Sequence, residues 1–400
     1  MDAWTTLESR GFVKQVTDPE TLKKALSSGT VTYYAGFDPT ADSLHIGHML
    51  PVMAMAHLQR AGHVPIAVVG GGTAMVGDPS GKTELRQMLT SDDIAKNMTG
   101  MRTQLSRFLV VDGVRGHMID NGEWLLKLNY IAFLRDIGRH FSVNKMLTAD
   151  AYKLRLEKGL SFIEFNYQLL QAYDFLELFR RFGCQLQIGG DDQWGNILAG
   201  TDLIRRVDEK DAWGLTFPLT TTASGAKMGK TAAGAVWLDA NRTPVFDFFQ
   251  YWLNVDDRDV GRFLKLYTFV PLDEIARLEA LQGADVREAK RVLAREVTTL
   301  VHGAEATAVA DAAGSAMSRG EATADLPTVA LLPEDRTVVD ALVRGALAKS
   351  KGEARRAIEG GGVTLGGEKV VEREAALPDV GDGLVLKVGK SRAVRLVKSA

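Results

Sequence analysis

The chain has 400 residues, 46% of them hydrophobic and 24% charged, which suits a globular protein of two or three domains and excludes a disordered chain. One cysteine, Cys184, excludes an internal disulfide. With neither a basic start leading into an apolar run nor an 18-residue apolar stretch, the expectation is a cytoplasmic protein without signal peptide or membrane span. The formal charge of −2 is uneven: residues 335–400 carry 13 Lys and Arg against 9 Asp and Glu, net +4, and the rest carries 35 against 41, net −6.

In chain order, Thr30–Tyr34 and Pro65–Val69 read as buried strands, each followed by a glycine-bearing loop and then helical spacing. Ile94, Met98, Met101, Leu105 and Phe108 form the stripe of a helix laid on a core, with Asp92 and Asp93 suited to its first turn. Ser161 and Glu164 form a capping-box pattern opening a helix from Phe162 to Phe182, which Gly183 closes. Cys184–Ile188 is the next strand, and Leu215–Thr222 is strand-like. This alternation predicts an α/β fold, a Rossmann-like parallel-sheet domain over residues 1–240. From about Pro244 the strand signals fade and segments such as Arg287–Val297 read as helix, giving an α-helical domain over residues 241–325. An alanine-rich stretch, Gly303–Asp325, reads as a closing helix, and Pro327 and Pro333 as a linker. Residues 335–400 read as a small α+β unit: a charged helix, Gly360–Gly362, then short valine-rich strands. Its basic excess points to a polyanion partner, since Lys and Arg displace counterions from a phosphate backbone; a mildly basic small domain would carry the same excess.

His45 and His48 lie three apart at the start of a helix running to about Arg60, so both rings share one face beside backbone N–H groups at the positive end of the macrodipole. Phosphate is the natural guest of such a site, and Gly47 removes a side chain where a nucleotide must approach. The four residues alone also suit two ordinary surface histidines; the strand, turn and helix around them favour phosphate. Lys227 and Lys230, in Lys227-Met-Gly-Lys-Thr231, lie three apart on a Ser-, Gly- and Ala-rich loop that could close over a polyphosphate. Alone, that pattern equally suits a solvated loop.

These two motifs, about 180 residues apart on an α/β frame, resemble the HIGH and KMSKS signatures of the class I aminoacyl-tRNA synthetases. KMGKT, departing from KMSKS at its third and last positions, is similar to the tyrosyl branch. So are the runs Tyr34–His48, Val76–Lys82, Gln168–Asp174 and Gln187–Asn196, and together they resemble bacterial tyrosyl-tRNA synthetases over essentially the whole chain. The tail resembles the RNA-binding module of a small-subunit ribosomal protein. The resemblance implies activation of L-tyrosine by ATP and transfer to tRNA(Tyr). It also implies a homodimer with each tRNA spanning both subunits, Mg²⁺ accompanying ATP, and no protein-held metal.

Tyr167, Gln171 and Asp174 sit at i, i+4 and i+7, within an arc of roughly 60° on one helix, among Phe162, Phe165, Leu169 and Leu170. Such an arc fits either a solvent face or a pocket wall. A phenol needs a donor and an acceptor, and a hydroxyl beside a carboxylate supplies both. By resemblance, Tyr34 and Asp174 hold the substrate hydroxyl; Tyr167, Gln171 and Asp78 bind its ammonium; Gly36, Asp38 and Gln187 complete that pocket; and Gln193 lies near the reacting carboxylate. Thr40 and His45 would meet the γ-phosphate, and Lys82, Arg86, Lys227 and Lys230 the leaving pyrophosphate, with Thr231 completing the catalytic set. Gly47, His48, Gly190 and Asp192 would hold the adenosine portion.

Two departures stand out. Pro51 falls inside the helix after His48, which predicts a kink or an altered nucleotide contact. Asp191 replaces the serine of GGSDQ, adding a carboxylate expected to weaken ATP binding. Gly77–Thr83 resembles a P-loop, but Val76 occupies the place of its first glycine, so the phosphate cradle would not close. A tryptophanyl enzyme shares the class, yet an indole offers only a donor, which disfavours it against Tyr34 with Asp174. A synthetase-like RNA-binding protein would have no need of the intact histidine and lysine pairs.

Overall fold

A computed structural model of the chain describes residues 2–80, 89–148, 152, 156, 159–225, 228–231, 234–318, 326, 328–381, 383–389 and 392–398. The chain forms two compact units, one of Met1–Asp239 with Gly261–Ala276, the other of Ala240–Val260 with Arg277–Ala400.

In the first unit, six strands form one sheet: β1 (Gln15–Val16), β2 (Thr32–Phe37), β3 (Val64–Val69), β4 (His117–Asp120), β5 (Cys184–Gly190) and β6 (Trp213–Phe217), in the order β1-β6-β5-β2-β3-β4. β2 to β6 run parallel and β1 pairs antiparallel on the edge. Order reverses between β2 and β5, where the chain winds outward in opposite directions from two neighbouring strands. That leaves a crevice at their carboxyl ends, the place where open α/β sheets bind ligands. Val-, Ile- and Ala-rich β3 is buried along nearly its whole length, as a strand covered on both faces must be.

Helix Phe162–Phe182 brings Phe175, Leu176 and Leu178 into the core beside Tyr34, Ile66 and Val68. Its expected ends are observed: Ser161 Oγ accepts from Glu164 N, Glu164 Oε2 accepts from Ser161 N, and Gly183 closes the helix in the left-handed region. The helix read from Ile94 to Phe108 spans Ser91–Leu105 and is capped by Thr90, so Phe108 lies beyond its end. The strand read as Thr30–Tyr34 runs later, to Phe37, and the one read as Leu215–Thr222 ends at Phe217. Helix Ile46–Arg60 passes through Pro51 unbroken. The bond lost there is one N–H that would have met the Gly47 carbonyl, within the two turns after the cap. Gly261–Ala276 belongs with the first unit because the buried Arg10 guanidinium donates to the carbonyls of Lys265, Thr268 and Val270, at 3.1, 3.0 and 2.7 Å.

In the second unit, helices Val245–Leu253, Val286–His302 and Ala304–Ser318 pack together, and Asp311 receives Arg291 at 2.7 Å and Arg295 at 2.6 Å. The alanine-rich helix spans Ala304–Ser318; residues 319–325, the rest of that stretch, lie outside those described. Five further strands form a sheet whose core joins Val339, Leu342, Ile358, Leu386 and Leu396. Thr328–Leu331, read as linker between two prolines, is a strand pairing parallel with Arg392–Lys398. Among the described residues no helix is long and apolar enough to cross a membrane.

Removal of the Ser161 hydroxyl leaves the Glu164 N–H without its cap, so Ser161→Ala is expected to cost about 1 kcal/mol of stability in urea unfolding, and Ser161→Thr far less.

Candidate active site

Strand β2 carries Tyr34 into the core and Gly36, exposed, near its carboxyl end, and Asp38 follows the strand directly. Its neighbour β5 sets Gln187 opposite Tyr34 in register. Tyr34 is 2% exposed, and its hydroxyl has no hydrogen-bond partner among the described residues. Burial, and then the nearby Asp174 and Cys184, hold its pKa well above the usual phenol value. An unpaired buried hydroxyl costs about 1–3 kcal/mol, a cost that a ligand hydroxyl would relieve.

Asp174 is 3% exposed and fully engaged on the protein side: Asn121 Nδ2 donates to Oδ2 at 2.8 Å and Trp124 Nε1 to Oδ1 at 2.7 Å. Burial raises its pKa to about 7 against the lowering effect of those two bonds, with Asp38 and Glu177 adding to the rise. Asn121 is itself fixed, accepting from Gly72 N at 2.8 Å and donating also to Thr73 Oγ1 at 3.0 Å. Thr73 donates to Asp38 Oδ1 at 2.9 Å, and Tyr167 donates to Asp38 Oδ2 at 3.3 Å. Hydrogen bonds therefore run from Asp174 to Tyr167 across the loop that follows β3.

A second network lies one turn toward the start of the long helix. Gln193 Nε2 donates to Asp78 Oδ2 at 2.8 Å, Gln171 Nε2 donates to Gln193 Oε1 at 3.3 Å, and Asn196 Nδ2 donates to both Gln193 and Gln171. Buried Gln187 keeps a side-chain oxygen without a partner among the described residues. The polar arc of Tyr167, Gln171 and Asp174 is thus not a solvent face, because all three join these buried or half-buried networks.

At the crevice mouth His45 caps helix Ile46–Arg60. Its Nδ1 accepts from Gly47 N at 3.0 Å, and His48 Nδ1 accepts from His45 N at 3.1 Å. An acceptor at Nδ1 places the proton of each neutral ring on Nε2. The rings stack with centroids 3.9 Å apart, and Trp237 meets His45 edge-on at 5.8 Å. The second motif adjoins the first through Val236, whose carbonyl accepts from Ile46 N at 3.0 Å and whose N–H donates to the Gly229 carbonyl at 2.9 Å. Gly229 has φ +79°, and a Cβ there would lie 3.1 Å from Gly47 N, so the close approach and the backbone angle both require glycine. Lys230–Thr231 pair with Gly234–Ala235 in a short hairpin. Lys82, Arg86 and Lys227 lie outside the described residues, as do the side chains of Lys230 and Thr231.

Thr40 is exposed at the mouth, its N–H on the Asp38 carbonyl. Gly190 ends β5, and Asp192 stands in the single turn between β5 and helix Trp194–Asp208. Asp191 does not stand as a bare charge: its Oδ1 accepts from Gln15 Nε2 at 2.7 Å and Thr216 Oγ1 at 3.0 Å, on β1 and β6.

The family model described as tRNA synthetases class I (W and Y) matches residues 26–317, and the model for the tyrosine–tRNA ligase SYY-like C-terminal domain matches residues 319–382. The tyrosine–tRNA ligase of Clostridium tetani is 50% identical over 402 residues, covering 99% of each chain, and that of Clostridium botulinum strain Hall is 49% identical with the same coverage. The chain belongs to the tyrosyl-tRNA synthetase family. A C-terminally truncated mitochondrial tyrosyl-tRNA synthetase from Aspergillus nidulans superimposes with a TM-score of 0.71 at 32% identity, covering 79% of this chain and 94% of that one. Membership of this class I family makes the chain a ligase and fixes its fold as the Rossmann-type α/β architecture already described.

Sequence patterns assign no role to Asn121, Trp124, Thr73 and Asn196, which hydrogen-bond the carboxylates of Asp174 and Asp38 and the amides of Gln171 and Gln193. Asp120-Asn-Gly122 carried only a turn signal. Nothing local showed that its amide would reach across to Asp174, 53 residues away.

A folded carboxyl titrating near 7, against about 4 unfolded, binds more protons in the native state between those values, so its contribution to stability falls as pH rises through that window and is level above it. Urea unfolding of the wild type and Asp174→Asn from pH 4 to 8 is expected to show the wild type losing stability relative to the variant across that range.

Proposed function

We propose that this chain activates L-tyrosine with MgATP, forming tyrosyl-adenylate and pyrophosphate, and then transfers tyrosine to the 3′ end of its tRNA. The observation that carries this reading is the buried Tyr34 hydroxyl, without a partner among the described residues, near a carboxylate that Asn121 and Trp124 hold in place. Together they offer a phenol both a donor and an acceptor.

The carboxylate oxygen of tyrosine attacks the α-phosphorus, and the bond from that phosphorus to the bridging oxygen of pyrophosphate breaks. Tyrosine's carboxylate is already ionised, so no general base is needed, and the site's work is positioning and charge stabilisation. Tyr34 and Asp174 seat the phenol, with Gly36, Asp38 and Gln187 around them; Asp78, Tyr167 and Gln171 take the ammonium; Gln193 lies by the carboxylate. His45, with its Nε2–H donor, and Thr40 meet the γ-phosphate. Lys82, Arg86, Lys227, Lys230 and Thr231 meet the departing pyrophosphate, and Gly47, His48, Gly190 and Asp192 hold the adenosine portion. In the second step a terminal ribose hydroxyl of the tRNA attacks the acyl carbon and AMP leaves.

We take residues 1–240 as catalytic, 241–325 as a helical tRNA-binding part and 335–400 as a small RNA-binding part whose net +4 suits a phosphate backbone. A homodimer is supported by Leu126, Tyr130, Ile131, Val143, Phe162 and Ile163, all exposed in the first unit, since exposed large apolar residues in number mark association surfaces. A lone buried cysteine suits the cytoplasm.

ATP–pyrophosphate exchange is expected with tyrosine and not with tryptophan or phenylalanine, and no exchange with tyrosine would overturn the reading. Asp174→Ala is expected to raise the tyrosine KM at least about tenfold or abolish exchange, as loss of a charged partner to a buried hydroxyl costs roughly 1.5–3 kcal/mol. Truncation before Thr328 removes the second sheet whole, where a cut at residue 335 would strand Thr328–Leu331 without its partner strand. That truncation is expected to spare exchange and lower tRNA charging; equal charging contradicts the role given to the tail.

A further inference from the structure

The turn from Gly190 to Gln193 contributes to both halves of the cleft. Gln193 reaches Asp78 at 2.8 Å on the amino-acid side, and Asp192 folds back over Gly190 so closely that any Cβ there would lie 2.6 Å from its Oδ1. What orients this turn is a closed ring of hydrogen bonds at its start. Gln15 N donates to Thr216 Oγ1 at 3.1 Å, Thr216 Oγ1 donates to Asp191 Oδ1 at 3.0 Å, and Gln15 Nε2 donates to that same oxygen at 2.7 Å. The Thr216 hydroxyl spends its proton on Asp191 and its lone pair on Gln15, so the directions of all three bonds are set. Gln15 and Thr216 are register partners on β1 and β6, and Thr216 is also paired with Gly189 on β5. The ring therefore ties the turn to two strands beyond the one that leads into it.

We propose that Asp191 is a positioning residue for the nucleotide: its carboxylate, drawn sideways onto β1 and β6 rather than toward the phosphates, fixes the turn that presents Asp192 to ATP. Its charge meets two donors, Gln15 Nε2 on β1 and Thr216 Oγ1 on β6. Asp192 follows directly in the chain, so freeing Asp191 lets the turn rotate. Gln193 has separate restraints from Asp78 and Asn196, which confine the effect to the nucleotide side. The proposal rests on the role given to Asp192 in the proposed function.

The test is tyrosine-dependent ATP–pyrophosphate exchange by the full chain, with the KM of each substrate and kcat measured separately and thermal unfolding followed alongside. Asp191→Ala is expected to raise the ATP KM roughly three- to tenfold, as the loss of two ordered hydrogen bonds allows, with the tyrosine KM and kcat within about twofold. Asp191→Asn, whose side-chain oxygen can accept both bonds, is expected to restore most of the ATP KM. Gln15→Ala, outside the cleft, is expected to raise the ATP KM less and to add nothing on top of Asp191→Ala, because both cut the same ring. An unchanged ATP KM in both single variants, or equal rises in the two KM values, overturns the proposal while leaving tyrosine activation standing. Absence of exchange in the wild type overturns the activity and the proposal with it.

Discussion

A carboxylate buried with no counter-charge beside it is one of the more expensive things a protein can carry, and among the described residues Asp174 is bonded only by neutral donors. Asp174 stays in place because Asn121 and Trp124 each spend a donor on it, and Asn121 can do so because Gly72 and Thr73 hold its other atoms. The Tyr34 hydroxyl lies near that carboxylate and has no hydrogen-bond partner among the described residues. A site with an unpaired hydroxyl rejects a ligand that lacks its own, because the site's polar groups then stay desolvated and unmatched. For tyrosyl-tRNA synthetases against phenylalanine this rejection is known to reach roughly 10⁵-fold, a figure for the enzyme class that these distances do not supply.

The same logic of holding groups in advance extends to the crevice mouth. Val236 hydrogen-bonds the first turn after His45 and also the glycine of the second motif, so two stretches some 180 residues apart share one backbone partner. A reaction whose nucleophile is already ionised asks for little proton transfer, and the histidines fit that demand. Each uses Nδ1 to bind backbone N–H, which presents Nε2–H as a donor. Their stacking, with Trp237 against the edge of His45, fixes the two rings as a pair.

Much of this was legible in the sequence where the signal is local. The capping box at Ser161, the stop at Gly183, the stripe along Ser91–Leu105 and the alternation of strand and helix all rest on neighbours within a few turns, and the structure keeps them. Motif and helical phase also singled out Tyr34, Tyr167, Gln171 and Asp174, which the structure buries or half-buries near one another. What was not legible depends on long-range contact: the edge strand Gln15–Val16, two residues long, exists only because β6 is there to pair with it, and Asn121 looks like a turn residue until Asp174 arrives beside it. The surroundings of Pro51 and Asp191 were hidden for a related reason: the helix runs on through Pro51 to Arg60, and the donors that Asp191 meets come from two strands distant in sequence.

The central claim is that the Tyr34 and Asp174 pair is built for a phenolic hydroxyl. Titration calorimetry of tyrosine and phenylalanine with the nucleotide-free protein tests it directly. The account predicts measurable tyrosine binding and phenylalanine binding weaker by at least about 10³-fold, since the unmatched pair is penalised in binding as well as in catalysis. Comparable affinities for the two amino acids would contradict it.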